Sequence, residues 1–196
     1  MNELEKRMYF FVPYNILPIQ QGIQAGHSMG EYALKYGRYN PDHLIWEFLE
    51  KWKTWMILNG GTTNDTRNFE MIPTGSLNQI ADQLLANGIE SSPFIEPDLN
   101  NALSAVCFIC DERVFNYKDY PEFYDWFVAQ RMYPNVARLI KGIAVNSESD
   151  LNYLKKATIE DQKSDFPVEF DMWTNEVMGN AKNVFLRNLI KGKKFA

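Results

Sequence analysis

Four short apolar runs and three longer periodic segments alternate along the first part of the chain. The apolar runs are rich in branched and aromatic residues, which is typical of β-strands, and they lie at residues 8–12, 54–58, 89–95 and 103–110. The periodic segments carry apolar residues every three or four positions, which predicts amphipathic helices at residues 20–36, 41–51 and 76–87. The order of these elements predicts a three-layer α/β fold whose sheet is at least partly parallel.

The fourth apolar run reads Leu-Ser-Ala-Val-Cys-Phe-Ile-Cys over residues 103–110 and has almost no polar face. A strand of this kind is usually buried on both faces. We therefore expect it inside the sheet, with a neighbouring strand on each side.

The character of the chain changes at residue 111, after which strand signals are few. We predict helices at residues 120–128, 136–143, 151–155 and 181–190. We expect residues 1–115 to form the α/β domain and residues 116–196 to form a helical extension packed on it, as a single compact unit.

Aromatic residues are concentrated at the start of this extension. They suit an interface for a protein partner or for self-association, and they suit simple core packing equally well. These residues are Tyr117, Tyr120, Phe123, Tyr124, Trp126 and Phe127.

Composition narrows the class of protein. The chain has 196 residues, of which 45% are hydrophobic, so it should fold into a globular domain with a sizeable core. No apolar run reaches the ~20 residues of a membrane span, and the first apolar run is too short for a signal peptide. Two cysteines supply no disulfide framework. We therefore expect a cytoplasmic protein that does not cross a membrane.

The formal net charge is −5. Nonspecific binding of nucleic acid depends on neutralising phosphates, so this charge disfavours it, although a local basic patch is compatible with it.

The first candidate for chemistry is the segment 18–31. Gln21, Gln24 and His27 recur every third residue and form a polar stripe on one face of the predicted helix. Gly22, Gly26 and Gly30 run beside them, and each costs about 0.5–1 kcal/mol relative to Ala. Three such residues suggest that something comes close to the helix backbone.

The second candidate is the turn Glu96-Pro97-Asp98. Two carboxylates spaced by two can hold a metal, bind a sugar hydroxyl or raise one another's pKa, or they can belong to an ordinary acidic turn. His27 can act as a general base, or it can be a helix histidine that hydrogen-bonds a neighbouring loop. We expect the carboxylates to face the stripe of segment 18–31 across a cleft.

At these two places the sequence resembles the archaeal/eukaryotic-type peptidyl-tRNA hydrolase superfamily, and within it is more similar to the small bacterial and phage branch. That branch carries Gln-x-x-Gln-x-x-His on the first helix, then Phe-x-Glu-Pro-Asp-Leu before a strand that begins Leu-Thr-Ala. The matching residues are Gln21, Gln24, His27, 94–99 and 103–105. The resemblance covers roughly residues 7–115.

The resemblance implies a mixed four-stranded sheet with helices on both faces, and a site where the loop before the first helix meets the turn after the third strand. It also implies hydrolysis of the ester that joins a peptide to the 3′ end of tRNA, with no cofactor and no metal. The implied catalytic residues are His27 and Glu96. The implied substrate-binding residues are Gln20, Gln21, Gln24, Asp98, Asn100 and Ser104.

The well-studied members of that superfamily use a lysine before the first helix, and alignment on Gln24 and His27 puts Gln20 at its position. Two functions follow from this difference. In one, the protein is a hydrolase with divergent or weakened catalytic residues. In the other, it is an inactive homologue that serves as a binding module for a protein, a nucleotide or RNA.

Overall fold

The computed structural model describes residues 3–63, 75–132 and 153–196. The chain divides into two compact units. The first consists of Met1–Glu112 together with Phe185–Ala196, and the second of Arg113–Val184. Residues from Phe185 onward therefore group with the first unit, although we assigned them to the helical extension.

The first unit is built on a mixed four-stranded open sheet in the order β2-β1-β4-β3. The strands are β1 (Lys6–Pro13), β2 (Thr54–Gly61), β3 (Ser91–Glu96) and β4 (Ala102–Asp111). β1 pairs in parallel with β2 and antiparallel with β4, and β4 pairs antiparallel with β3. The prediction that the fourth strand lies inside the sheet is confirmed.

Three helices of this unit connect the strands. They are α1 (Pro18–Tyr32), α2 (Leu44–Glu47) and α3 (Ser76–Ala86). The first two continue into π-helical turns at Ala33–Gly37 and Phe48–Trp52, so the predicted helices 20–36 and 41–51 each appear as two joined pieces. A 3₁₀ turn, Pro97–Leu99, follows β3.

Helices cover both faces of the sheet. Successive strand residues point to opposite faces, so each strand contributes side chains to both helical layers. Met8 and Phe10 pack with Ala25 and Tyr32 of α1. On the other face, Phe11 of β1 and Leu77 of α3 both lie beside Gly60 of β2. A Cβ atom at Gly60 would come within 2.8 Å of the leucine side chain. The first unit is therefore a three-layer α/β arrangement, as the sequence predicts.

The outer edge of β2 is paired with the last residues of the chain. Leu58 and Phe195 form an antiparallel bridge. Asn59 N–H donates to Lys194 O at 2.9 Å, and Ala196 N–H donates to Ile57 O at 3.1 Å.

The described part of the second unit is helical. The helices from the end of β4 onward are α4 (Glu112–Phe115), α5 (Phe123–Met132), α6 (Ile159–Asp165), α7 (Pro167–Glu176) and α8 (Ala181–Ile190), and α8 contains the boundary at Phe185 where the chain returns to the first unit. Residues 153–156 are also helical. The predicted helix 136–143 lies outside the described residues.

The aromatic residues of the second unit form its core. Phe123 and Phe127 are 1% exposed and pack against Phe166, Phe170 and Trp173. Of the aromatic residues that we considered for an interface, Trp126 is also buried. Core packing, the second of the two alternatives, therefore accounts for these three side chains.

Within the described residues, no helix combines the length and the apolar character that a membrane span requires.

Candidate functional site

The candidate site lies at the end of the sheet where the carboxyl ends of β1 and β3 are located. β4 runs in the opposite direction, so its first residues meet the last residues of both strands. α1 begins after the loop that follows β1. Ligands of open α/β sheets generally bind outside the carboxyl ends of strands, so the fold places this end of the sheet in a favourable position.

A hydrogen bond between Gln24 and Glu96 joins the two stretches that the sequence singled out. Gln24 Nε2 donates to Glu96 Oε2 at 2.7 Å. Gln24 is buried, and the Glu96 side chain is only 13% exposed. The expected approach of the first helix to the acidic turn is therefore confirmed.

His27 lies one turn further along α1 and faces the same carboxylate. Its Nδ1 is 3.9 Å from Glu96 Oε2, and 48% of its side chain is exposed. The imidazole ring contacts Phe94 edge-on, with ring centroids 4.7 Å apart. The histidine is thus held beside the carboxylate while solvent still reaches it.

Ser104 completes this network from inside the sheet. Its hydroxyl donates to Gln24 Oε1 at 2.6 Å and lies 3.3 Å from Phe94 O. The residue is fully buried. We expected Ser104 to bind the substrate, and the structure places it behind Gln24 rather than at the surface.

A β-bulge turns Ser104 towards α1. Phe94 is opposite Ala105 and Ile95 is opposite Leu103, so Ser104 is the extra residue on β4. Cys107 is three positions further on, and its Sγ also donates to α1, at Ser28 O. In a regular strand an odd offset points two side chains to opposite faces, and the bulge removes that constraint.

The two remaining glutamines have local structural roles. Gln21 is buried, and its Nε2 donates to Pro13 O at 3.3 Å, which ties α1 to the end of β1. Gln20 is exposed, and its Oε1 accepts the Leu17 N–H at 3.2 Å, which caps the start of α1. Both side chains lie at the start of the helix. The Gln21 amide nitrogen carries a second N–H, and the Gln20 contact uses only the oxygen of its amide.

The turn after β3 is exposed and conformationally unusual. The Asp98 N–H donates to Glu96 Oε1 at 3.4 Å, and the Asp98 side chain faces outward with Asn100. Asn100 and Asn101 have φ values of 55° and 56°, a left-handed conformation that asparagine tolerates better than most residues. The structure thus brings Glu96 to Gln24 and His27, and leaves Asp98 and Asn100 on the outer side of the turn.

The glycine stripe of α1 has space beside it. A Cβ atom added at Gly22, Gly26 or Gly30 meets no described atom within 4 Å outside the local helix backbone. The expectation that something comes close to this backbone is therefore not met by the described part of the chain itself.

Glu96 and Asp98 place two acidic side chains at this end of the sheet, and His27 lies beside Glu96. Lys6 of β1 and Asp111 of β4 are opposite each other at the far end of the sheet. The Glu96 and Asp98 carboxylates would repel a phosphate placed at the site, whereas a neutral ester carries no net charge for them to repel.

Phe94 is the contact residue that we did not select from the sequence. Its ring supports His27, and its carbonyl faces the Ser104 hydroxyl. The signal was present, since Phe94 opens the motif that ends in Glu-Pro-Asp-Leu.

No protein-family model matches this chain, and no curated protein matches it at a significant level.

Proposed function

We propose that this protein hydrolyses the ester between a peptidyl or aminoacyl group and the 3′ end of tRNA, with weaker catalysis than relatives that carry the lysine. The observation that supports the proposal is the convergence of Gln24, His27 and Glu96 at one end of the sheet. Ester hydrolysis needs an activated water and donors for the oxyanion that develops.

His27 and Glu96 are the pair that would activate water. With Nδ1 directed at the carboxylate, the other ring nitrogen, Nε2, is available to take a proton from water. Glu96 then stabilises the imidazolium that forms, as a carboxylate beside a protonated histidine does.

Glutamine amides would supply the donors. The Gln24 Nε2 group uses one N–H for Glu96, and its second N–H can point to the substrate carbonyl. Gln20 Nε2 adds a neutral donor at the start of α1, where related enzymes have a cation. A neutral donor stabilises an oxyanion less than a charged one, which is the physical reason for expecting slow turnover.

The acidic character of the site limits which part of the substrate it receives. The acyl group, the ester and the terminal ribose are uncharged at the reacting bond, so they suit the site better than the phosphates do. Exposed apolar side chains of α1 and of the turn after β3 offer contact area for an acyl chain; they are Ile19, Ile23 and Leu99.

The test is an assay with N-acetyl-aminoacyl-tRNA carrying a radiolabelled acyl group. The parent protein should release the label faster than buffer, and the double variant His27→Ala/Glu96→Gln should not. Turnover that is equal in the two proteins would contradict the proposal.

A second candidate function is binding without catalysis, and the capping role of Gln20 favours it. At the position of the family lysine this chain has a side chain whose oxygen is engaged by the Leu17 N–H. No turnover by the parent protein, together with binding of an acylated tRNA minihelix that Glu96→Gln weakens, would support this function instead.

A further inference from the structure

We propose that Ser104 is a positioning residue, whose buried hydroxyl fixes the amide of Gln24 and through it aims the Glu96 carboxylate at His27. The effect on catalysis rests on the hydrolase function proposed above. The effect on Gln24 does not depend on that function.

The two partners of Gln24 specify one orientation of its amide. The oxygen faces the Ser104 hydroxyl at 2.6 Å, and the nitrogen faces the Glu96 carboxylate at 2.7 Å. In the reverse orientation the amide oxygen would face a carboxylate oxygen, and two acceptors would meet. The chain of donors therefore runs in one direction, from Ser104 through Gln24 to Glu96.

The hydroxyl is needed because Gln24 Oε1 is inside the protein. Without Ser104 Oγ this oxygen loses its hydrogen-bond donor, and a buried acceptor without a donor is unfavourable. The side chain would rotate towards another donor and withdraw its nitrogen from Glu96. The carboxylate would then lose the contact that holds it beside His27.

The bulge in β4 directs the Ser104 side chain to Gln24. Ser104 is the extra residue in the pairing with β3, and this is why its side chain points to α1. Bulges recur next to active sites, where they redirect a side chain that a regular strand would turn away. The sequence alone places Ser104 in an apolar strand and gives no sign of this direction.

Ser28 provides a matched control. It is also a fully buried serine at the interface between α1 and the sheet, and its hydroxyl donates to Ser92 O at 2.7 Å. The variants Ser28→Ala and Ser104→Ala thus each remove one buried hydroxyl and one short hydrogen bond. Only the Ser104 hydroxyl bonds to Gln24.

The first measurement follows the Gln24 side-chain amide by NMR in the ¹⁵N-labelled full chain, with Gln24→Glu used for assignment. In Ser104→Ala the amide signals should shift, and their hydrogen exchange should quicken about tenfold, the scale of losing one hydrogen bond. In Ser28→Ala and in Ser104→Thr, which keeps the hydroxyl, they should stay close to those of the parent. Unchanged Gln24 signals in Ser104→Ala would overturn the proposal.

The second measurement is kinetic. Ser104→Ala should lower kcat on the order of 10- to 100-fold with KM almost unchanged, the scale on which a displaced group costs rate. The double variant Ser104→Ala/Gln24→Ala should be no slower than Gln24→Ala, because the two residues act in one chain. Additive losses would overturn the proposal. If the parent protein releases no label, the hydrolase function fails, and the NMR result still decides whether Ser104 positions Gln24.

Discussion

Gln24 and Glu96 are 72 positions apart in the chain and share a 2.7 Å hydrogen bond between an amide nitrogen and a carboxylate oxygen. Hydrogen bonds to charged groups contribute about 1.5–3 kcal/mol, more than neutral ones. This one connects α1 to the end of β3 and keeps a carboxylate in a largely enclosed place. The contact therefore has structural value, and the same carboxylate is the group on which the proposed chemistry depends.

Replacing Glu96 by Gln should separate these two contributions. The new amide can still accept from Gln24, so the melting temperature should change little. The carboxylate beside His27 is lost, and ester hydrolysis should fall by about 10²–10⁴, the range for removing a general acid–base group. Asp98→Asn is the matched control, because it removes the same charge from an exposed position two residues away. Equal losses in the two variants would mean that overall charge matters, not the Glu96 contact.

Replacing Gln20 by Lys should raise the rate of hydrolysis. The substitution introduces a cation at the position where the peptidyl-tRNA hydrolases that the sequence resembles carry a lysine, and charged groups near a developing oxyanion contribute about tenfold or more. The Leu17 N–H loses its acceptor, so the free energy of unfolding should fall by about 0.5–1 kcal/mol. Asn15→Lys adds the same charge at an exposed position of the loop before α1 and serves as the control. A gain that is equal in both variants would show a general electrostatic effect on tRNA.

Replacing Gly26 by Ala should stabilise the protein and report on whether a ligand approaches α1. An added Cβ atom meets no described atom within 4 Å outside the local helix backbone, so the free energy of unfolding should rise by about 0.5–1 kcal/mol. If a substrate passes close to the helix backbone beside His27, the rate should fall at the same time. Ala substitution at Gly30, one turn further from the site, should stabilise without loss of rate. A stabilised Gly26→Ala variant with full activity would contradict a close approach of the substrate to the α1 backbone.

Stability should fall at alkaline pH because burial raises the pKa of the Cys107 thiol from 9.0 to about 12. Below pH 9 the thiol is protonated in both the folded and the unfolded chain, and its contribution is complete. Between pH 9 and about 12 the unfolded chain ionises first, so the free energy of unfolding decreases with pH. Urea unfolding from pH 8 to pH 11 measures this slope, and Cys107→Ala should reduce it. The slope should not vanish, because burial also raises the pKa of Cys110.

Replacing Val106 by Asp should destabilise the first unit by about 3–5 kcal/mol, since an unpaired charge would enter the middle of the sheet. Val106 is fully buried in β4, between β1 and β3. Leu85→Asp, at a residue of α3 that is 76% exposed, introduces the same charge and should cost little. Chemical denaturation of both variants checks the difference, and similar losses would contradict the placement of β4 inside the sheet.

The positions of the strands could be predicted from local patterns, and so could the contact between segment 18–31 and the turn Glu96-Pro97-Asp98. The apolar run 103–110 is typical of an inner strand, and the polar stripe on α1 predicts a polar partner opposite it. The direction of Ser104 could not be predicted in this way. It depends on the register between β3 and β4, which a single-residue bulge resets, and no residue in either strand marks the bulge by itself.

The helices α6 and α7 were missed although part of their signal was present. Phe166, Phe170 and Trp173 follow helical spacing, and Pro167 stands at the first position of α7. Residues 159–165 are almost all polar, so α6 carries no apolar periodicity. For Gln20 the opposite occurred: the resemblance to peptidyl-tRNA hydrolases implied substrate binding, and the structure gives the side chain a capping contact at the start of α1.

The pairing of Phe195 with Leu58 has a consequence for how the protein is made. The two residues are roughly 140 positions apart, and at about 5–20 residues per second a ribosome needs on the order of ten seconds to make the chain between them. During that time β2 has been synthesised and its outer edge has no partner from the tail. An uncovered strand edge is a template for pairing with other chains, so aggregation during synthesis should be most pronounced in this interval. A nascent chain of this protein covers the outer edge of β2 only after residues 194–196 have emerged.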